Sequence, residues 1–159
     1  MKKFLLSIFA VLFAFAGVQA QTWTKVTDAS TLKAGDEVVI VASEFNYALS
    51  TTQNSNNRAS VSITKAGDNV VIGDDVQILT LESGKTAGTF ALNTGNGYLY
   101  AASSSKNYLR TENTLSENSS WKITIDNEIA TIKAAGSNTR NWLRYNSTNN
   151  PPIFSCYSS

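Results

Sequence analysis

Trp121-Lys122-Ile123-Thr124-Ile125-Asp126, Glu128-Ile129-Ala130-Thr131-Ile132, Asn141-Trp142-Leu143-Arg144 and Pro152-Ile153-Phe154-Ser155 follow one another in the last part of the chain. Each is a short run rich in β-favouring residues, and turn-forming clusters such as Ala135-Gly136-Ser137-Asn138 lie between them. The same succession occurs twice before. Trp23-Thr24-Lys25-Val26-Thr27-Asp28 and Val76-Gln77-Ile78-Leu79-Thr80-Leu81-Glu82 also open on a bulky apolar residue and close on an acid. Glu37-Val38-Val39-Ile40-Val41 and Gly88-Thr89-Phe90-Ala91-Leu92 match the second run. Tyr47-Ala48-Leu49-Ser50 and Gly97-Tyr98-Leu99-Tyr100 match the third, with Leu49, Leu99 and Leu143 in register. Arg58-Ala59-Ser60-Val61 and Tyr108-Leu109-Arg110-Thr111 match the fourth.

Four short strands repeated three times, at intervals of roughly 45 to 50 residues, predict an all-β, β-trefoil-like barrel of about twelve short strands. A sandwich carries no such threefold period. The repeats run about 21–75, 76–120 and 121–159 of a single domain spanning 21–159. An extra loop, Thr64 to Asp75, precedes the middle repeat. Val70-Val71-Ile72 inside it reads as a thirteenth strand, which keeps a β-sandwich or an irregular β-barrel open as the alternative. After Gln21 no window sustains a helical apolar stripe over three turns.

The first 20 residues read differently. Lys2 and Lys3 precede an apolar run from Phe4 to Gly17, broken only by Ser7, and Val18-Gln19-Ala20 ends it. This order of charged, apolar and small residues predicts a cleaved signal peptide over residues 1–20 and a mature start at Gln21. The apolar run is shorter than the ~20 residues a spanning helix needs, so no membrane span is expected after cleavage. The expected location is periplasmic or extracellular. No Cys follows the apolar run, which excludes lipid attachment there.

Removing Lys2 and Lys3 takes the 13 basic residues to 11 against 12 acidic ones, a net charge of −1. That balance exerts no long-range pull on phosphate backbones, and no nucleic-acid partner is expected. Lys106, Arg110, Arg140 and Arg144 fall near Tyr108 and Trp142, but acids are interspersed and a solvated face is the reading. Cys156 is the single cysteine, so no disulfide forms within the chain; it reads as a small buried hydrophobe in Ile153-Phe154-Ser155-Cys156-Tyr157. The chain has no His, which removes Ser-His and Cys-His nucleophile pairs, His general bases and His metal sites. Glu112 and Glu117 are candidates for a carboxylate pair, but nothing in their spacing marks them for glycoside hydrolysis. Asp68, Asp74 and Asp75 lack calcium-loop spacing and read as a solvated turn. No catalytic residue, cofactor or metal is expected.

Strand alternation places Tyr98 and Tyr100 opposite Leu99, and Trp142, Arg144 and Asn146 opposite Leu143. If the Leu face is core, Tyr98, Tyr100, Trp142, Arg144 and Asn146 form an outward set. Aromatic faces beside amide and guanidinium donors suit sugar rings, which offer apolar C–H faces and a rim of hydroxyls. The competing reading is that these aromatics only cover the barrel or pair across strands.

Four motifs resemble a known group: Trp23-Thr24-Lys25-Val26, Leu32-Lys33-Ala34-Gly35-Asp36-Glu37-Val38-Val39-Ile40, Gly97-Tyr98-Leu99 and Leu143-Arg144-Tyr145-Asn146. They are similar to the trefoil-like accessory domains, ricin-like in fold only, of secreted proteins from Gram-negative gut anaerobes. The resemblance implies a domain appended to secreted enzymes, without a catalytic set of its own. Members of that group run on into a further short apolar strand, so the last strand here is expected to be truncated or replaced. The Gln-x-Trp repeat of ricin-like sugar-binding trefoils is represented only by Gln21-Thr22-Trp23. Together these readings predict an exported, non-catalytic binding module for a carbohydrate or glycan. The alternative is a structural or protein-interaction accessory domain, an adhesin component or inhibitor, that engages a cell-surface protein.

Overall fold

The computed structural model describes residues 21–159; the expected signal peptide lies outside the described residues. These residues form fourteen strands: β1 (Gln21–Thr24), β2 (Glu37–Val38), β3 (Tyr47–Gln53), β4 (Arg58–Ser62), β5 (Thr64–Ala66), β6 (Asn69–Ile72) and β7 (Leu79–Ser83). They continue as β8 (Phe90–Asn93), β9 (Tyr98–Ala101), β10 (Leu109–Glu112), β11 (Ser120–Asp126), β12 (Ile129–Ala134), β13 (Trp142–Asn146) and β14 (Ile153–Tyr157). The only helical elements among the described residues are one-turn segments, Ala29–Thr31 and Glu117–Ser119. The fold is all-β and β-trefoil-like.

The threefold pattern is visible in the pairing. β7 to β10 and β11 to β14 are each a run of antiparallel neighbours in chain order. The first repeat follows the same plan through the Val41↔Ala48 bridge and the β3–β4 pair. Adjacent repeats are stitched by a common device: the second strand of one pairs with the first strand of the next. Val38 stands opposite Leu79, and Phe90 opposite Trp121. β14 then pairs with β4, joining the third repeat to the first.

Within each repeat the second and third strands meet at a single register pair and then part. Those pairs are Val41↔Ala48, Asn93↔Tyr98 and Lys133↔Trp142. In the first two repeats the wedge so created receives the first strand of the following repeat, β7 or β11. For the third repeat that strand would be β1, but β1 pairs with β6, with Trp23 opposite Val70, in a separate three-stranded sheet with β5. The inserted loop supplies this competing partner. Gly67, at φ 56°, allows the tight turn between β5 and β6, and Val70 and Ile72 bury against Trp23 in the core. The thirteenth strand expected at Val70–Ile72 is therefore one arm of a hairpin, which takes the strand total to fourteen.

Leu49, Leu99 and Leu143 all point into the core, as their shared register requires. Trp23, Trp121 and Phe154 are its largest fully buried side chains. Trp121 also donates its indole N–H to the Leu99 carbonyl at 2.9 Å, satisfying the polar edge that burial would otherwise strand. Each fully buried Leu or Phe contributes about 1.5–3 kcal/mol of transfer free energy.

A charged residue completes the interior. Arg58 is buried, and its guanidinium donates to the Thr51 carbonyl at 2.9 Å, Gln77 Oε1 at 3.0 Å and Thr111 Oγ1 at 2.9 Å. It thus ties β4 to β10 and to the start of the middle repeat. Burial lowers its pKa from the ordinary guanidinium value.

Candidate functional site

The wedge of the third repeat, which none of the described strands enters, is an open groove of about 300 Å³. One wall is Ile129–Ile132 on β12, the other is Trp142–Tyr145 on β13, and the loop residues Ala42, Ser43 and Phe45 of the first repeat close its end. Phe45 and Ile129, 41% and 52% exposed, are the exposed large hydrophobic residues among those described, and both face this groove. Ile129 owes its exposure to the missing strand. Its counterparts by register in the other repeats are Glu37, half-buried, and Thr89, buried.

Local structure sets each wall. Asn127 and Glu128, at φ 46° and 65°, form the two-residue turn between β11 and β12, and the Asp126↔Ile129 pair closes it. The turn therefore presents Ile129 at the very start of β12. On the opposite side, Lys65 of β5 donates its ammonium to the carbonyls of Ala42 at 2.7 Å and Ser43 at 2.8 Å. Partial burial lowers the Lys65 pKa. That clamp holds the loop that carries Phe45.

The Phe45 ring centre lies 5.2 Å from that of Tyr145. Tyr145 stacks on Tyr47 at 5.9 Å and meets Phe154 at 5.2 Å, so the groove floor is continuous with the aromatic core. Burial, then the neighbouring Tyr47, raises the Tyr145 pKa above the ordinary phenol value. At the other end Trp142 is flanked by two cations. Lys133 Nζ is 5.3 Å and the Arg144 guanidinium carbon 5.4 Å from its ring centre. The result is an apolar trough with hydroxyl and guanidinium donors on its rim.

Of the five residues expected to form the outward set, Trp142 and Arg144 line this groove. Asn146 lies on the same strand, where its amide donates to the Tyr157 hydroxyl at 2.7 Å and its carbonyl oxygen accepts from Thr148 N–H at 2.9 Å. Its polar atoms thus hold the turn after β13. Tyr98 and Tyr100 lie on β9 of the middle repeat and do not line the groove. Tyr98 donates its hydroxyl to Glu82 at 3.0 Å, and that carboxylate raises the Tyr98 pKa. Tyr100 faces Arg110 across the β9–β10 pair.

Sequence reasoning did not single out Phe45 or Ile129. A signal existed for Phe45, an isolated large aromatic in the polar segment Ser43-Glu44-Phe45-Asn46. Ile129 carried none, because its exposure depends on where β1 goes.

The remaining candidates are engaged elsewhere. Glu112 accepts the Ser116 hydroxyl at 2.5 Å. Asp68 sits at the β5–β6 turn, 3.5 Å from Lys25 Nζ. Among the described residues no group of three or more His, Cys, Asp or Glu converges to hold a metal ion. Arg110 lies 4.7 Å over the Tyr108 ring and bonds Asn56, while Arg140 donates to Asn107 at 2.8 Å. Cys156 is fully buried, and burial pushes its thiol pKa up, away from thiolate reactivity. No helix among the described residues is long and apolar enough to cross a membrane.

No family model matches the sequence, and no curated protein does. A solved structure is similar in fold. It is the Polyporus squamosus lectin, in complex with the human-type influenza-binding epitope Neu5Acα2-6Galβ1-4GlcNAc, at a TM-score of 0.55 and 15% identity. The match covers 81% of this chain and 46% of the lectin chain, so it spans less than half the lectin's length. At that identity the likeness is one of fold.

Proposed function

We propose that the protein is an exported, non-catalytic carbohydrate-binding module whose site is the open groove of the third repeat. One observation carries the reading. Phe45 and Ile129, the large apolar residues left in solvent among those described, converge with Trp142 and Tyr145 on a single trough rimmed by Arg144, Ser43 and Thr131. A pyranose ring presents an apolar C–H face to such a trough and its hydroxyls to such a rim. The fold shared with a glycan-bound lectin supports the reading, as does the resemblance to accessory domains of secreted bacterial proteins. Tyr98, Tyr100 and Asn146 stay outside this primary contact, and Trp142 and Arg144 within it. Export rests on the Lys2-Lys3 start and the apolar run to Gly17.

A glycan array probed with the purified protein, beside Phe45→Ala and Trp142→Ala variants of unchanged melting temperature, tests this. Binding that both substitutions remove is expected. Failure of the folded protein to bind any glycan overturns the proposal in favour of a protein-interaction role, which a partner pulled down through the same groove would establish.

A further inference from the structure

Outward residues form a row across β11, β12 and β13. Lys122 stands directly opposite Lys133, and Lys133 directly opposite Trp142. Side chains so placed have Cβ atoms about 4.5–5.5 Å apart, and like charges in that position repel. The row carries two lysines face to face, with Arg144 over the same indole as Lys133. No carboxylate among the described residues answers them. Between described residues, Lys25 pairs with Asp68 and Glu128, and neither acid lies on this row. Lys122 and Lys133 also line a second cavity, of about 530 Å³, with Thr89, Gly136 and Asn141. Lys133 links the two hollows, since its ammonium lies over the Trp142 ring that borders the apolar groove.

We propose that this second cavity is an anion subsite continuous with the groove, and that the ligand is therefore an acidic oligosaccharide. Its carboxylate or sulfate sits between the Lys122 and Lys133 ammonium groups and relieves their repulsion, while the adjoining sugar ring lies along Phe45, Trp142 and Tyr145. The Trp142 ring holds Lys133 and Arg144 beside the site before ligand arrives, which lowers the ordering cost of binding. This inference rests on the carbohydrate-binding reading and specifies its ligand class.

The test is calorimetric titration of the purified protein with heparin, chondroitin sulfate and polygalacturonate, each against a neutral counterpart that is carboxyl-reduced and, where sulfated, also desulfated, at low and high salt. At least one acidic polymer binds roughly tenfold tighter than its neutral counterpart at low salt, and the preference shrinks as salt screens the charges. The sulfated and the uronate arms identify which anion is taken. A Lys122→Gln/Lys133→Gln variant loses the preference but keeps the neutral affinity, whereas Phe45→Ala loses both. Equal binding of acidic and neutral forms, or a preference that survives the double substitution, overturns the anion subsite and leaves the groove standing. Absence of binding to every polymer, acidic and neutral, overturns both.

Discussion

Replacing Lys122 by Glu is expected to stabilise the protein while removing its affinity for acidic ligands. In the β11–β12 register Lys122 faces Lys133, so the substitution turns a like-charge pair into an opposite-charge pair. Cross-strand pairs contribute about 0.2–1 kcal/mol each, favourable or unfavourable by sign, so the swing is about 0.5–2 kcal/mol. Both side chains are exposed, which holds the figure to the lower half of that range. For a domain of this size about 1 kcal/mol corresponds to roughly 3 °C, so the melting temperature rises by about 2–4 °C at low salt. Thermal unfolding by calorimetry at 20 and at about 500 mM NaCl separates the electrostatic part, because the Debye length falls below 5 Å at the higher salt. The gain shrinks by more than half, and Lys122→Gln yields about half of it. If Lys122→Glu is no more stable than the parent at low salt, the two ammonium groups do not confront one another and the argument for an unsatisfied cation pair fails. A gain in stability accompanied by a loss of binding would mark the pair as retained for function at a cost to the fold.

Other consequences follow from buried groups and from the loop clamp. Arg58→Met fills the space but removes donors to Thr51, Gln77 and Thr111, and lowers stability by about 2–4 kcal/mol, read as a lower urea midpoint with an unchanged slope. Cys156 has its pKa raised in the folded state above the ordinary value of 9.0, so the folded chain binds its proton more tightly than the unfolded chain does. Stability is therefore full below pH 9 and falls above it by up to about 1.4 kcal/mol per pH unit; a Cys156→Ala variant shows a shallower alkaline loss in urea midpoints between pH 8 and 11. Lys65→Met frees the Ala42 and Ser43 carbonyls, loosens the loop carrying Phe45 and weakens glycan binding about three- to tenfold, with little change in melting temperature.

Much of the fold was legible because its repeats share a physical requirement. Leu49, Leu99 and Leu143 recur at the same place in each repeat because each third strand must turn one face to a common core, and period-two alternation then assigns their neighbours outward. The hairpin β5–β6 was half legible: Val70-Val71-Ile72 announced a strand, while its partner Thr64–Ala66 has too few apolar residues to do so. What no local pattern conveys is the choice that β1 makes. Trp23 is an apolar residue opening a short strand in either arrangement, and only the competition between β6 and β12 for its edge decides which sheet it joins. The groove follows from that non-local choice, so the sequence gives no sign of Phe45 and Ile129 on its wall, whereas simple alternation already turns Trp142 and Arg144 outward onto it.

On a scaffold built from three similar units, a site belongs where the units differ. The position of Trp142 is held by Ala48 in the first repeat and Tyr98 in the second; Ala48 is buried, and Tyr98 spends its hydroxyl on Glu82. Only the third repeat sets an aromatic ring there beside cations that no carboxylate among the described residues neutralises. The same repeat has the wedge that none of the described strands enters, for the reason that the inserted hairpin draws β1 away. Apolar exposure, unanswered charge and broken symmetry are separate defects by the standards of a stable fold. A domain carrying any one of them at random is unremarkable, whereas their coincidence on one face, around Trp142, is the basis for proposing that face as the binding site.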